Sequence, residues 1–345
     1  STIIGDTIGM TNPWRYRNKS QIPIGKNSDD QAIMGFYRQR SHDIINMDEC
    51  LIQDEQHQHM MNFIKQYCNE LNISIYNEKT KKGLLRHLVV RTGHHTNDLM
   101  VILVTNGKQF PQAQQLISRL IQNFPQVTSI KQNINTTHSN VIMGDQSYTL
   151  YGEDKIIDTL SEITFKISDQ SFYQINSAQT EKLYQKAIDY ANLAGNEIVL
   201  DTYCGIGTIG LYMAPKAKHV YGVEVVKEAI EDAKQNAQLN EFENTTFVCG
   251  KAEDVILQWK QEGVHPDVVM VDPPRKGCDE TFLNTLLALE PKKIVYISCN
   301  PSTQQRDAQI LATKYNLTQI TPVDMFPQTT HVETVALFER LTSNE

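Results

Sequence analysis

Apolar and polar positions alternate with two different rhythms along the chain, and the change falls near its middle. From Trp14 to about Leu160 there are short strand-like runs, "AIMGFYRQ", "LLRHLVVRTG", "DLMVILVTNG" and "SYTLYG". Two helical stretches interrupt them, roughly Asp54–Leu71 and Pro111–Asn123, and this order predicts an α+β domain with an antiparallel sheet. After about Phe165 strands and helices alternate strictly: "EIVLD", "HVYGVE", "TTFVCG", "DVVMVD" and "KIVYIS", each followed by a helical stretch, then the pair "TQITPVDMF" and "VETVALFER". Apolar runs of four to six residues between helices read as parallel strands buried on both faces. The expected fold class is α/β, a doubly wound Rossmann-like domain over residues 166–345 preceded by a smaller α+β domain over 1–165. Ligands of such a sheet belong at the carboxyl ends of its strands.

Bulk properties refine this outline. A chain of 345 residues can bury two separate cores. No apolar run approaches the ~20 residues of a membrane span and no leader-like segment opens the chain, so a cytoplasmic protein without a membrane partner is expected. The first residue is Ser1 rather than Met, which suggests a fragment or a processed start, with an upstream domain missing. The six cysteines show no C-x-x-C spacing, which argues against a disulfide framework and a locally built zinc site. His57/His59 and His94/His95 carry no metal in this reading, because side chains two apart on a helix face different ways. Net charge is −8; residues 1–165 hold 16 basic and 16 acidic residues, and residues 166–345 hold 16 and 24. The whole excess of negative charge therefore lies in the second domain.

Chemistry concentrates at the strand ends. "VLDTYCGIGTIG" places glycines ahead of a helix, where a backbone can approach a ligand; by itself this is a tight turn more often than a site. Glu224 closes the next strand about 20 residues later, the position of a carboxylate that accepts ribose hydroxyls. The tract "GIGTIG" has the G-x-G-x-x-G spacing of dinucleotide sites with an acid ahead of it, and suits an adenosine cofactor without a pyrophosphate, such as S-adenosylmethionine, at least as well. Glu253 in "GKAEDV" is open between an adenine contact and a first-turn helix acid. In "VMVDPPRKG", Pro273 and Pro274 stiffen the loop that carries Asp272, suiting that acid to orient a flat substrate. Cys299, in "YISCNP", precedes a helix starting at Pro301 or Ser302, whose positive end is expected to favour the thiolate. Cys204, Cys249 and Cys278 read as structural.

Taken in order, "NPWRYRNK", "FYQIN", "DTYCGIG", "DPPRKG", "SCNPSTQQRD" and "HVETVALF" resemble the RNA (uracil-5)-methyltransferase family. The resemblance implies S-adenosylmethionine as cofactor and 5-methyluridine in RNA as product. It implies that Cys299 adds to carbon 6 of uracil to activate carbon 5, and that Glu333 removes the carbon-5 proton before the cysteine leaves. It also implies cofactor binding by Gln174, Tyr203, Glu224 and Asp272, and gives Thr208 no role. Many bacterial members hold a four-iron four-sulfur cluster on four cysteines; Cys50 in "DECLIQ" matches the last of these, the others would lie upstream, and no iron-sulfur cluster is expected in this chain. That pattern favours ribosomal over transfer RNA.

RNA binding by an acidic catalytic domain needs cations elsewhere. The candidates are Arg15, Arg17, Lys19, Lys79, Lys81, Lys82 and Arg86, most of which would individually be solvated surface charges. The target uridine must leave its stack to meet Cys299. A monomer is the default state. A nitrogen methyltransferase using only the Asp-Pro-Pro loop, or an inactive RNA-binding module, would leave Cys299 and Glu333 without purpose.

Overall fold

The computed structural model describes residues 2–341; the start at Ser1 and the last four positions of the second predicted domain lie outside the described residues. The chain forms two units. The smaller comprises Trp14–Thr159 and Lys166–Gln170, the larger the residues up to Pro13, Leu160–Phe165 and the residues from Ser171 onward. This departs from a division near residue 165. Strand β1 (Ile3–Ile4) joins the sheet of the larger unit, so the opening residues do not belong with the smaller one.

The smaller unit is built from β2 (Lys19–Lys26), β3 (Ala32–Tyr37), β4 (Ile44–Asn46), α1 (Glu55–Glu70), β5 (Leu85–Thr92), β6 (Leu99–Thr105), α2 (Ala113–Asn123), β7 (Val127–Ile134) and β8 (Gln146–Gly152). Its seven-stranded sheet runs β4-β3-β2-β5-β6-β7-β8, antiparallel except for β6 and β7, which α2 joins as a parallel pair. Asp54 caps α1 by accepting the Gln56 N–H at 2.8 Å. Met60, Met61 and Ile64 of α1 and Leu116 and Leu120 of α2 share one core with Leu88, Val90, Val101 and Leu103 of the central strands. Cys50 stands in the loop before α1, where its N–H donates to Gln58 Oε1 at 3.0 Å and its carbonyl accepts Arg15 Nη1 at 2.8 Å.

Three strands of the seven-stranded sheet, β2, β7 and the three-residue β4, were not visible in the apolar pattern. β2 contains Pro23, which has no N–H to donate; the strand pairs with β5 as far as Pro23 and with β3 from Ile24 onward, so the proline sits at the changeover. β7 buries polar residues instead of alternating. Gln132 donates to Thr105 Oγ1 at 2.9 Å, Asn133 exchanges hydrogen bonds with the backbone of Gly144, and Lys131 lies 2.8 Å from both Asp154 and Asp169. Asp169 also accepts Ser147 Oγ at 2.5 Å, and Arg91 donates to the Ser168 carbonyl, which is why residues 166–170 belong to this unit. Breaking a buried pair of this kind typically costs about 3–5 kcal/mol. β9 (Ile156–Leu160) and β10 (Ile163–Ile167) form a separate two-stranded sheet.

The larger unit contributes α3 (Ser177–Ala191), β11 (Ile198–Thr202), α4 (Thr208–Met213), β12 (His219–Glu224), α5 (Lys227–Leu239), β13 (Thr245–Cys249), α6 (Ala252–Gln261), β14 (Val268–Val271), α7 (Glu280–Leu289), β15 (Lys293–Ser298), α8 (Pro301–Leu311), β16 (Tyr315–Val323) and β17 (Glu333–Arg340). The sheet order is β1-β16-β17-β15-β14-β11-β12-β13. β11 to β15 are mutually parallel, and β17 runs antiparallel between β15 and β16. The chain winds one way from β11 through β12 and β13, then returns to the other side at β14. Such a reversal opens a crevice at the carboxyl ends of the strands. Among the described residues no helix is long and apolar enough to cross a membrane.

Candidate active site

A cavity of about 710 Å³ lies at that crevice, within the larger unit. Gln174, Tyr203, Glu224, Asp272, Cys299 and Glu333 all line it, although they are widely separated in sequence. Tyr203 follows β11, Glu224 ends β12, Asp272 follows β14 and Cys299 follows β15. Four parallel strands thus deliver four side chains to one edge of the sheet. Gln174, buried, comes from the segment before α3, whose cap Asn176 accepts the Gln179 N–H at 3.2 Å.

Glu333 arrives by a different route. The β15–β17 ladder ends at the pair Ser298–Thr334, and the next positions outward are Cys299 and Glu333, which both line the cavity and interact electrostatically. The antiparallel direction of β17 is what places the start of this strand beside the end of β15. Gln304 of α8 fixes the pair from beneath, donating to the Tyr296 carbonyl at 3.0 Å and accepting Thr334 Oγ1 at 2.8 Å.

The Asp272 loop is tied to the same helix. Asn300 caps α8 through the Ser302 N–H and donates to the Arg275 carbonyl at 3.3 Å. Asp307, fully buried, accepts the Cys278 N–H at 2.8 Å and the Tyr296 hydroxyl at 2.7 Å. Arg306 donates to the carbonyls of Lys276 and Cys278. Asp272 and Cys299 are therefore carried by one cross-braced assembly.

At the other side of the cavity, Gly205 has φ +53° and a Cβ there would meet nothing within 4 Å. The open space in front of it is the cavity, so the turn leaves room for a ligand against bare backbone. Tyr203 is held at φ +60°, rare for a bulky residue, with its ring edge-on to Phe282 at 5.3 Å. The Glu224 carboxylate accepts the N–H groups of Gly205, Val225 and Val226 at 2.8–3.3 Å, which fixes its direction. These features form a cradle suited to a nucleoside: bare backbone, an oriented carboxylate and apolar walls.

Electrostatics departs from expectation at Cys299. A helix start ahead of the thiol predicts a depressed pKa, but burial and the charges of Glu333 and Asp272 push the thiol up, outweighing its own backbone hydrogen bond and the Arg275 guanidinium. Burial raises Asp272 to about 7. Burial, with Asp272 second, raises Glu333 to about 8. Beneath the glycine turn, burial raises Asp201 to about 8, although Gly210 N–H donates to it at 2.8 Å. The site concentrates acids in a dry place, and a cation entering it would stabilise their ionised forms.

Other expectations resolve separately. Glu253 lies in the first turn of α6 and does not line the cavity. Cys204 and Cys278 are buried, whereas Cys249 is exposed, so a core role does not fit the last. His57 is buried between Ser20 Oγ and Thr92 Oγ1, 2.7 Å from each, and burial pushes it down to about 3, leaving it neutral. Among the described residues no group of three or more His, Cys, Asp or Glu is placed to hold a metal ion. Burial, with the Arg91 charge second, lowers Lys19 to about 7, so it is not a plain solvated cation. Phe172, Tyr184, Thr208 and Phe326 also line the cavity and had been given no role from sequence. Thr208 faces the Tyr184 hydroxyl at 3.1 Å; no local motif marks a contact between residues so far apart in the chain.

Comparison with known proteins follows the same lines. The family model described as tRNA (uracil-5-)-methyltransferase matches residues 10–341. An uncharacterized RNA methyltransferase of Staphylococcus epidermidis is 74% identical over 340 residues, covering 99% of this chain and 75% of its own. Another from Staphylococcus aureus is 73% identical over 335 residues, covering 97% and 74%. The crystal structure of Pyrococcus abyssi tRNA (uracil-54, C5)-methyltransferase in complex with S-adenosyl-L-homocysteine superposes with a TM-score of 0.81 at 30% identity, covering 96% of this chain and 78% of that one.

The electrostatic arrangement predicts the reactivity of Cys299. Where the parent's Glu333 is ionised, Glu333→Gln lacks one of the charges opposing the thiolate, and iodoacetamide should there modify Cys299 several-fold faster than in the parent protein. The gap should widen above about pH 8, where Glu333 of the parent ionises. Mass spectrometry of the Cys299 peptide reads the rate, and equal rates at all pH values would contradict the arrangement.

Proposed function

The chain belongs to the tRNA (uracil-5-)-methyltransferase family, and from that premise we propose that it methylates carbon 5 of a uridine in RNA through a covalent bond between Cys299 and carbon 6 of the base. The observation that carries this reading is that Cys299 and Glu333, each next to the last β15–β17 pair Ser298–Thr334, line one cavity with a cradle suited to a nucleoside. The cofactor is S-adenosylmethionine, which supplies an electrophilic methyl group on a positively charged sulfonium. Glu224 would accept the ribose hydroxyls, the Gly205 backbone leaves room for the adenosine, and Gln174, Tyr203 and Asp272 would complete the enclosure.

Carbon 5 of uracil is too weak a nucleophile to take a methyl group unaided. Cys299 passes its proton to water and, as the thiolate, forms a carbon–sulfur bond at carbon 6, moving the ring electrons to the oxygen on carbon 4. Those electrons would return through carbon 5 to the sulfonium methyl group, whose bond to sulfur breaks to leave neutral S-adenosylhomocysteine. Glu333 then takes the proton left on carbon 5, the double bond reforms, and Cys299 departs as thiolate. A carboxylate raised to about 8 is a stronger base than an ordinary one and suits that last step.

Ribosomal RNA is the first substrate we propose, on the resemblance of Cys50 and its surroundings to the ribosomal branch. The second is transfer RNA, favoured by the Pyrococcus abyssi relative, which acts on uracil 54 of tRNA. Purified ribosomal and transfer RNA from cells lacking the gene, each incubated with enzyme and cofactor and digested to nucleosides, distinguish the two.

RNA containing 5-fluorouridine tests the covalent step, since fluorine on carbon 5 cannot be removed as a proton. With S-adenosylmethionine the protein should form an adduct that survives denaturing electrophoresis, and Cys299→Ala should form none. An adduct that persists in the variant removes Cys299 from its role.

A second expectation concerns pH. The raised carboxyls of Asp272 and Glu333 stay protonated in the folded chain up to about 7 and 8, whereas in the unfolded chain they are already ionised. Folding stability is therefore lost as pH rises through that window. S-adenosylmethionine, with its sulfonium, should raise Tm more at about pH 9 than at about pH 6, and neutral S-adenosylhomocysteine should not show that growth. Equal growth with both ligands would place the sulfonium away from these carboxylates.

A further inference from the structure

The smaller unit holds a second cavity, of about 570 Å³, between β2, β3, β4, residues 75–79 and the start of β5. That is within the range of small-ligand sites, ~300–1,000 Å³. Two of its lining side chains are polar and more than nine-tenths buried, Arg86 at 6% and His87 at 7% exposure. Arg86 had counted among candidate surface cations, and the structure corrects this. Its Nη1 donates to the carbonyls of Asn135 and Thr137 at 2.6 and 2.8 Å, and its guanidinium lies 4.4 Å over the Tyr76 ring.

Those partners are all uncharged. Arg86 Nε–H has no acceptor, and no carboxylate pairs with the guanidinium among the described residues. A buried cation normally has a partner anion, and an unpaired one beside a cavity points to an anion that comes from outside. His87 Nδ1 is likewise buried without a partner. Burial, with the Arg86 charge second, pushes His87 down to about 4, so it is a neutral imidazole offering one donor and one acceptor.

The rest of the lining fits the same ligand. Lys79 supplies a second cation at the mouth. Tyr37, 38% exposed, lies against the His42 ring at 5.2 Å and presents an aromatic face. Of the acids, Glu78 is taken up by His42 at 2.7 Å, and Asp43 remains. Lys26 is paired with Asp30 at 2.8 Å. Cations, an aromatic surface and a neutral hydrogen-bonding edge in one pocket are the elements by which proteins hold unstacked nucleotides.

We propose that this cavity binds one unstacked nucleotide of the RNA strand, with Arg86 and Lys79 on a phosphate, His87 on a base edge and Tyr37 as the stacking surface. The inference rests on RNA being the substrate, and it adds a binding determinant in a unit separate from the catalytic cavity. Affinity is measured by fluorescence anisotropy of a labelled single-stranded oligoribonucleotide, in the Cys299→Ala background so that the chemical step does not enter. Tyr37→Ala should weaken binding about fivefold or more, as loss of a stacking aromatic does. Lys79→Ala should weaken it about threefold and flatten its salt dependence. Both side chains are at the cavity mouth, so folding is not at stake; Arg86→Gln should weaken binding further, and unchanged S-adenosylmethionine affinity checks that each variant is intact. Parental RNA affinity in both Tyr37→Ala and Lys79→Ala overturns the proposal. Saturable binding of uridine or adenosine 5′-monophosphate that the oligoribonucleotide does not displace assigns a free-nucleotide site and overturns it as well. The 5-fluorouridine adduct, measured separately in the parent protein, decides the catalytic reading independently of either outcome.

Discussion

The antiparallel insertion of β17 between β15 and β16 is the constraint on which the active site depends. A parallel sheet can bring only strand ends that share a direction to one edge, here those carrying Tyr203, Glu224, Asp272 and Cys299. A reversed strand brings its beginning there instead, and with it a carboxylate in the same cavity as the thiol. Were β17 parallel, Glu333 would stand at the far edge of the sheet. The register is held on both sides, by Ser298 opposite Thr334 and by Val323 opposite Glu333, and Gln304 ties Thr334 to β15 from below.

The same constraint creates the electrostatic problem of the site. Burial raises all three groups, and the neighbouring acid charges add to it for Glu333 and Cys299, so the thiol is harder to ionise than an ordinary cysteine. Sites that store unfavourable charge in this way are complementary to a charge that arrives later. In the proposed reaction a cationic cofactor would meet that charge and favour the ionised carboxylates and thiolate, and once the methyl group is transferred the neutral product would leave Glu333 a stronger base again. The strained backbone at Tyr203 and the bare turn at Gly205 belong to the same economy: conformations unfavourable in themselves, fixed where a ligand must approach closely.

Much of this was legible from local pattern. Asp54 and the apolar spacing after it mark α1 almost to the residue, and buried runs such as "DVVMVD" announce parallel strands because both faces are covered. Glu224, Asp272 and Cys299 stood out as candidates because they sit at strand ends, where a motif of a few residues defines both strand and side chain, whereas Gln174, Tyr203 and Glu333 were singled out only through the family resemblance; all six line one cavity. What escaped depended on distant partners. β2 carries a proline that is tolerated only because its pairing switches there, and β7 is polar because Lys131, Gln132 and Asn133 find partners far along the chain. The direction of the Cys299 shift was misjudged for the same reason: the helix dipole is local, while Glu333 and Asp272 are brought in by the sheet. Arg86 looked like one of several surface cations, and only the tertiary structure places it inside.

The division of labour between Cys299 and Glu333 is tested most directly by the Glu333→Gln variant with S-adenosylmethionine and unmodified substrate RNA. If the carboxylate removes the carbon-5 proton, methyl transfer proceeds but release does not. Mass spectrometry should then find the Cys299 peptide carrying a methylated, saturated uridine. A variant that releases 5-methyluridine at the parental rate, without accumulating the adduct, would contradict the pairing of nucleophile and base across β15 and β17.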